Sequence, residues 1–337
     1  MSSSVASAAK EATVTLAPSL LNNVRAVGAA WMISSVVFTT YSTTSFLKHK
    51  YMNDGGRGKK ATFVKPEGSR LPRATLLTLY RFGGSLLLGM LAHPDLHVVD
   101  RVRETIHLLP PFALPAIFLF VANYANSISL DRIGISLTYT SKCAIPLITV
   151  LLTVILDGVS SLPNVPVLLS LLPIALGIGA ASWNSPTFEK IGFAAAMISC
   201  TSQSALNVSC KKVMAKLGVG GGVAQRAMVA VGLIIASGLS LAQLASHNEG
   251  KRPTQRQPPA WLAAMATTAY HVEYVLSFTF VQLVSPITYG ACDAVRRLCI
   301  IISGRAMFGG EPFTRLNIAG IAMALVGALS YSILNHS

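Results

Sequence analysis

The sequence predicts an all-α polytopic membrane protein, with ten transmembrane helices arranged as two inverted repeats of five. Three observations carry that expectation. The chain of 337 residues is 52% hydrophobic and only 12% charged, with a mean hydropathy of +0.56, whereas soluble domains carry about 25% charged residues. Apolar runs recur along its whole length, each about 20 residues long, as a hydrocarbon core of ~30 Å requires. Residues in the two halves also echo one another: Thr138-Tyr139 answers Thr288-Tyr289, Gly177 answers Gly327, and Ser182 answers Ser332.

Residues 1–24 read as an N-terminal tail, a candidate disordered segment. It is rich in Ser and Ala and lacks the apolar core and cleavage pattern of a secretory signal. The first repeat, 25–183, holds spans expected at 25–46, 73–91, 110–130, 133–156 and 163–183. A basic loop at 47–71, containing Gly55-Gly56-Arg57-Gly58-Lys59-Lys60, separates the first two. A linker at 184–190 leads to the second repeat, 191–337, with spans expected at 191–213, 223–245, 261–283, within 285–312, and at 316–334. An odd number of spans per repeat turns the second repeat upside down, which places a binding site near the bilayer midplane between repeats. An even total puts both ends on one side. The loops rich in Lys and Arg, 47–71 and 247–259, lie on the other, so the positive-inside rule sets both ends away from the cytosol.

The formal charge of +14 and pI near 9.8 sit largely in loops beside lipid headgroups, which point to a membrane surface and away from nucleic acid. The five cysteines, Cys143, Cys200, Cys210, Cys292 and Cys299, all fall in apolar runs without a CxxC pair. They read as small core residues, with no disulfide framework and no metal-ligand set. No GxSxG or GxxxxGK[ST] pattern occurs. The sequence therefore offers no catalytic residues, metal or cofactor, and none of the nucleotide site an ATP-driven pump needs.

Charge inside the apolar runs is the informative signal, because a charged side chain at mid-bilayer costs roughly 2.5–3.5 kcal/mol on insertion scales. Lys142 lies well inside the fourth span. Pro146, four residues on, removes the helical partner of its carbonyl and bends the chain there. Arg296 and Arg297 sit side by side in the ninth span, with Asp293 three and four residues before them and able to pair with either. Arg81 adds a fourth cation in the second span. Against these stand only Glu273 and Asp293. The excess is positive, so a cavity lined by these residues should hold an anion, and arginine's planar donors match phosphate oxygens. Asn123, Asn126, Thr138, Tyr139, Tyr274, Thr288 and Tyr289 are candidate hydrogen-bonding partners for a sugar or phosphate ester, although such residues also join helices. His271 reads as a satisfied core histidine. Asn207-Val208-Ser209 has the pattern of a glycosylation acceptor but falls inside a span.

Two segments carry a family likeness. Ser136-Leu137-Thr138-Tyr139-Thr140-Ser141-Lys142-Cys143-Ala144-Ile145-Pro146 resembles the S-F-T-H-T-x-K-x-x-E-P run of the triose-phosphate translocator family, within the drug/metabolite transporter superfamily. The stretch SPITYGACDAVRRLCIIIS, 285–303, is similar to that family's A-P-L-T-H-x-x-x-N-x-x-K-R-x-x-x-I run, and Gly309-Gly310-Glu311-Pro312 resembles the turn that follows. The resemblance implies a ten-span inverted-repeat carrier that exchanges a phosphorylated metabolite for phosphate or another phosphate ester. It puts the phosphate-binding basic residues on Lys142, Arg296 and Arg297. Arg296 stands where the family usually has lysine. Asn123 and Asn126 replace a histidine and a threonine or serine, Glu273 replaces a tyrosine, and Ser42-Thr43-Thr44 replaces an N-K-K-like motif. Phosphate recognition is thus expected to be kept and the contacts to the carbon skeleton changed. The expected partners are the phosphorylated substrate, inorganic phosphate and membrane lipids, with no nucleic acid. The membrane implied is a plastid envelope or a Golgi or other endomembrane. Two other readings remain: a nucleotide-sugar/nucleoside-monophosphate antiporter of the same fold, and a membrane receptor or scaffold without flux.

Overall fold

A computed structural model of the chain describes residues 24–53, 71–91, 97–158, 162–183, 185, 187–245, 258–284, 286–309 and 314–334. The N-terminal tail and most of the two basic loops lie outside these residues. All regular structure among the described residues is helical. Helix α1 covers 24–53, passing through a π-helical stretch at Ser34–Thr39 into the α-helix Thr40–Asn53. Next come α2 (Arg73–Leu91) and α3 (Val98–Ser141), a 3-10 turn at Lys142–Ala144, and α4 (Ile145–Asp157). Then follow α5 (Val165–Ser182), α6 (Lys190–Leu217), α7 (Gly221–Ala245), α8 (Ala260–Leu283), α9 (Pro286–Phe308) and α10 (Arg315–Leu334).

Four described stretches are long and apolar enough to cross a membrane: Arg73–Leu91, Val98–Leu152, Val165–Ser182 and Gly221–Ala245. Helix α9 carries Asp293, Arg296 and Arg297 within its run, which lowers its apolarity. Helix α3 starts at Val98, well before the expected 110. The charges at 100–104 suggested a loop, but Arg101 is buried and donates to the Met90 carbonyl, while Glu104 pairs with Arg226. Within α3, Gly134 adopts φ 75° and ψ 179° and breaks the helix. That backbone region is open essentially only to glycine. The chain kinks there, Ser129 meets Thr138 across the break, and residues 98–133 and 135–141 belong to separate rods.

Helix α10 starts with a reciprocal cap. The Asn317 N–H donates to Thr314 Oγ1 (3.2 Å) and the Thr314 N–H to Asn317 Oδ1 (3.2 Å), satisfying backbone donors that a helix start leaves open. Asn317 Nδ2 also donates to the carbonyls of Ala181 and Trp183, both at 3.0 Å, tying this start to the end of α5. The two helices then run at backbone contact. A Cβ on Gly320 would stand 2.6 Å from the Gly177 oxygen and 2.9 Å from the Ala180 carbonyl carbon, the close approach that small residues permit between membrane helices.

Elsewhere α2 packs on α7 and α8, α3 on α6 and α7, and α1 on α8. Two large apolar clusters result, beside a small one of Ile133, Leu137 and Ala196. One gathers Phe46, Leu77, Tyr139, Ile174, Ile300 and Ile321, the other Phe82, Phe112, Leu119, Met228 and Tyr270.

Candidate functional site

A cavity of ≈ 140 Å³ is lined by residues of both clusters, including Tyr139 from one and Tyr270 from the other. That is room for several water molecules. Its walls come from α1 (Trp31, Thr39, Thr43), α2 (Arg81), α3 (Asn123, Asn126, Leu130, Tyr139), the 3-10 turn (Lys142), α4 (Ile145), α6 (Gln203, Asn207), α8 (Tyr270, Glu273, Tyr274, Ser277) and α9 (Asp293, Arg296, Arg297). Arg81, Asn123, Asn126, Tyr139, Lys142, Glu273, Tyr274, Asp293, Arg296 and Arg297, all singled out in the sequence, converge here. The side chain of Tyr289 lies outside the described residues.

The kink at Pro146 supplies the first element. Lys142 falls in a tightened turn, and its carbonyl accepts the Ile145 N–H in a 3-10 bond. The same carbonyl accepts Arg297 Nη1 at 2.6 Å. The carbonyl that proline frees is therefore taken up across the bundle by an arginine of α9. The Lys142 Nζ lies 5.1 Å from the centroid of the Tyr139 ring, one helical turn back.

The arginine pair is neutralised from within. Asp293 Oδ1 accepts Arg296 Nε (3.0 Å) and Nη2 (2.6 Å), and its Oδ2 accepts Arg297 Nη2. Glu273 Oε1, from α8, accepts Arg296 Nη1 (3.0 Å) and the Ser35 hydroxyl (2.7 Å). Arg296 Nη1 also donates to Ser35 Oγ (2.6 Å), and its guanidinium carbon lies 5.0 Å over the Trp31 ring. Ser35 belongs to the π-helical stretch, which is a frequent feature of functional sites. From there Ser35, Thr39 and Thr43 follow at four-residue spacing along α1.

Arg81 is 3% exposed. Its Nη2 donates to Thr43, and its guanidinium carbon lies 5.2 Å from the Tyr270 ring centroid. Among the described residues no carboxylate lies within ion-pair distance of Arg81 or Lys142. Asn123 Nδ2 donates to the Leu119 carbonyl (2.9 Å) and to the Tyr274 hydroxyl (3.2 Å), and Asn126 lines the cavity with a buried Oδ1 that has no donor among the described residues. Thr138 is fully buried against Ser129 at 2.8 Å and does not line the cavity. His271 shares a 2.9 Å hydrogen bond with Ser85, outside the cavity. Gln203, Ser277, Trp31 and Thr39 line the cavity without having stood out in the sequence; Asn207, singled out only for a glycosylation pattern, and Thr43, of the Ser42-Thr43-Thr44 replacement, line it as well, and Gln203 Nε2 donates to Asn207 Oδ1 at 3.1 Å. Four cations thus face two carboxylates, a formal excess of two positive charges.

The family model described as "Triose-phosphate Transporter family" matches residues 78–332, which include every cation of this cavity. The chain belongs to that family. It is a multi-pass membrane transport protein. The transporter is 28% identical over 274 residues to Phosphoenolpyruvate/phosphate translocator 2, chloroplastic, of Arabidopsis thaliana, covering 77% of this chain and 69% of that one. It is 25% identical to the Triose phosphate/phosphate translocator, non-green plastid, chloroplastic, of Brassica oleracea var. botrytis, covering 77% and 65%. It is 26% identical to Glucose-6-phosphate/phosphate translocator 2, chloroplastic, of Arabidopsis thaliana, covering 74% and 64%. A solved structure, described only as a crystal structure of a protein, superposes on 94% of the transporter and 98% of its own chain. Its TM-score is 0.50 and its identity 15%, a likeness of fold.

Proposed function

We propose that the protein is a secondary transporter that exchanges a phosphorylated metabolite for phosphate or another phosphate ester by alternating access. The carrying observation is the central cavity, whose formal excess of two positive charges matches a phosphate dianion. Lys142 and Arg297 hold the phosphoryl group, with Arg296 assisting. Arg81, Asn123, Asn126, Tyr139, Glu273 and Tyr274 contact the remainder, and Tyr289 is kept as a substrate-binding candidate on its sequence position alone. Asp293 and Glu273 occupy the arginine donors. An arriving phosphate competes for the same guanidinium edges, which present several N–H groups each. Lys142 needs no such release.

Obligatory exchange follows from charge. Closing an empty cavity buries two uncompensated cations in low dielectric, which is unfavourable. A bound dianion cancels them, so the loaded carrier crosses and the empty one is held back.

The proposed frame is ten spans in two inverted repeats, 25–183 and 191–337, joined by a linker at 184–190 after the 1–24 tail. The packing supports it. Exchanging each helix with the one five later turns α1–α8 into α6–α3, α2–α8 into α7–α3 and α4–α6 into α9–α1, all of them observed contacts. The α2–α7 and α5–α10 pairs map onto themselves. Rocking of one repeat against the other needs a seal that opens. At the end of the bundle near Gly134, Ile135 seats against Gly304 so closely that a Cβ there would lie 2.7 Å from Ile135 Cδ1. The proposed membrane is a plastid envelope or an endomembrane; the relatives' names read "chloroplastic". Uptake of labelled phosphate into proteoliposomes preloaded with phosphate, against empty ones, tests the reading. Uptake driven only by nucleoside monophosphates would replace it with nucleotide-sugar exchange.

A further inference from the structure

We infer that the cavity opens toward the C-terminal end of α6 and that Lys211 stands at its mouth as an outer anion locus, heading a polar stripe that leads through Asn207 and Gln203 to Lys142. This deepens the phosphate reading above and rests on it, since the stripe is the entry path for that cargo. Contacts along α6 set the direction. Near its start, a Cβ on Gly192 would lie 2.5 Å from Ile133 Cγ2, at the Gly134 end that Ile135 and Gly304 close. Further on, Cys200 Sγ donates to the Ser141 carbonyl at 3.3 Å, which marks the level of Lys142. At a rise of 1.5 Å per residue, Asn207 lies about 10 Å and Lys211 about 16 Å beyond that level, away from the seal. Burial falls along the same path: Cys200 is buried, Gln203 half-buried, and Asn207 and Lys211 are exposed.

Lys211 shares the inward face. Cys200, Ser204, Asn207 and Lys211 follow at i, i+4, i+7 and i+11, the spacing of one helix face. Cys200 and Ser204 turn that face to Ser141 and Thr149, and Asn207 turns it to the cavity. Lys211 is thus exposed on the side of the cavity, whereas Lys212 lies about 100° further round. No carboxylate lies within ion-pair distance of Lys211 among the described residues. Gln203 and Asn207 are uncharged and hydrogen-bond to each other at 3.1 Å, so an anion leaving Lys211 meets neutral dipoles before the inner cations. The competing role for Lys211 is an interfacial anchor whose ammonium snorkels to lipid headgroups.

An irreversible trap at the mouth separates the two roles. In the detergent-solubilised full chain carrying Asn207→Cys, the new thiolate attacks a methanethiosulfonate, forming a disulfide and releasing methanesulfinate. One reagent carries an anionic sulfonatoethyl tail, the other a cationic trimethylammonioethyl tail, and mass spectrometry follows the adduct at position 207. Their rate ratio reports the local potential and cancels the reactivity of the thiol itself. Lys211 lies about 6 Å along the helix from position 207. Lys211→Gln should therefore lower the anion-to-cation ratio about sixfold at ~0.01 M ionic strength and less than about twofold at ~1 M. Lys212→Gln, on another face, should lower it by no more than about twofold. Positions 207 and 211 are exposed, so neither change disturbs packing. A ratio unchanged by Lys211→Gln, or lowered equally by Lys212→Gln, overturns the inference in favour of the anchor. Failure of both reagents to reach position 207 overturns the open mouth. Inorganic phosphate, added at constant ionic strength, should slow the labelling. A Lys211-dependent ratio without that protection upholds the anion path and removes the phosphate reading itself.

Discussion

Replacing Asp293 by asparagine removes the one group that neutralises both arginines of α9 while keeping its shape. Asp293 is 14% exposed and receives donors from Arg296 on one oxygen and Arg297 on the other. Breaking a buried pair costs about 3–5 kcal/mol, because the surviving charge is left without compensation. An amide oxygen still accepts one donor, which puts the loss near the lower bound, about 3 kcal/mol. That is roughly a 140-fold change in the folded-to-unfolded ratio, and a fall in melting temperature of about 5 °C or more. The cavity's formal excess rises at the same time from two charges to three. Phosphate should then bind the variant more tightly, and a ligand at a hundred times its Kd returns about 2.7 kcal/mol. Thermal unfolding of the detergent-solubilised protein, with and without phosphate, reads both effects. The expected pattern is a lower melting temperature for Asp293→Asn in phosphate-free buffer and a larger upward shift on adding phosphate. A variant that melts with the wild type, and is shifted by phosphate no more than the wild type, refutes the assignment of Asp293 as internal counter-ion.

Arg297 spans the Lys142 carbonyl and Asp293 at once. Arg297→Lys keeps the charge but cannot hold both, so phosphate exchange should fall by about tenfold or more in protein that inserts normally; wild-type exchange would show that charge alone suffices. At the α5–α10 contact, Gly320→Leu should abolish a monodisperse peak in size-exclusion chromatography, because the added side chain meets backbone of α5. The same change at Gly179, where a Cβ has nothing within 4 Å, should leave that peak intact.

The cavity was legible in the sequence to the extent that burial penalises charge. Arg81, Lys142, Glu273, Arg296 and Arg297 stood out because a charged group in an apolar run needs a reason, and all of them line one cavity. The i,i+3 and i,i+4 spacing even foretold that Asp293 could reach either arginine, and it reaches both. What remained hidden depends on helix rotation between segments far apart in the chain. Nothing in the spacing says that Glu273 meets Arg296 and Ser35, or that Arg297 crosses to the Lys142 carbonyl. Gln203 and Ser277 gave no signal because an uncharged polar residue in a membrane helix is commonly a joint between helices. Asn207 sits in a glycosylation pattern that drew the eye elsewhere. Gly134 gave no sign either, since only the backbone conformation shows that the helix breaks there.

The most direct measurement is phosphate counterflow in proteoliposomes carrying wild type or Lys142→Ala, with insertion verified for both. Lys142 has no ion-pair partner among the described residues and lines the cavity. A hydrogen bond to a charged group contributes roughly 1.5–3 kcal/mol, which predicts a loss of about 10- to 150-fold. The account predicts labelled phosphate entering only preloaded wild-type vesicles, with exchange reduced by that factor in Lys142→Ala. Exchange at the wild-type rate in Lys142→Ala would contradict it.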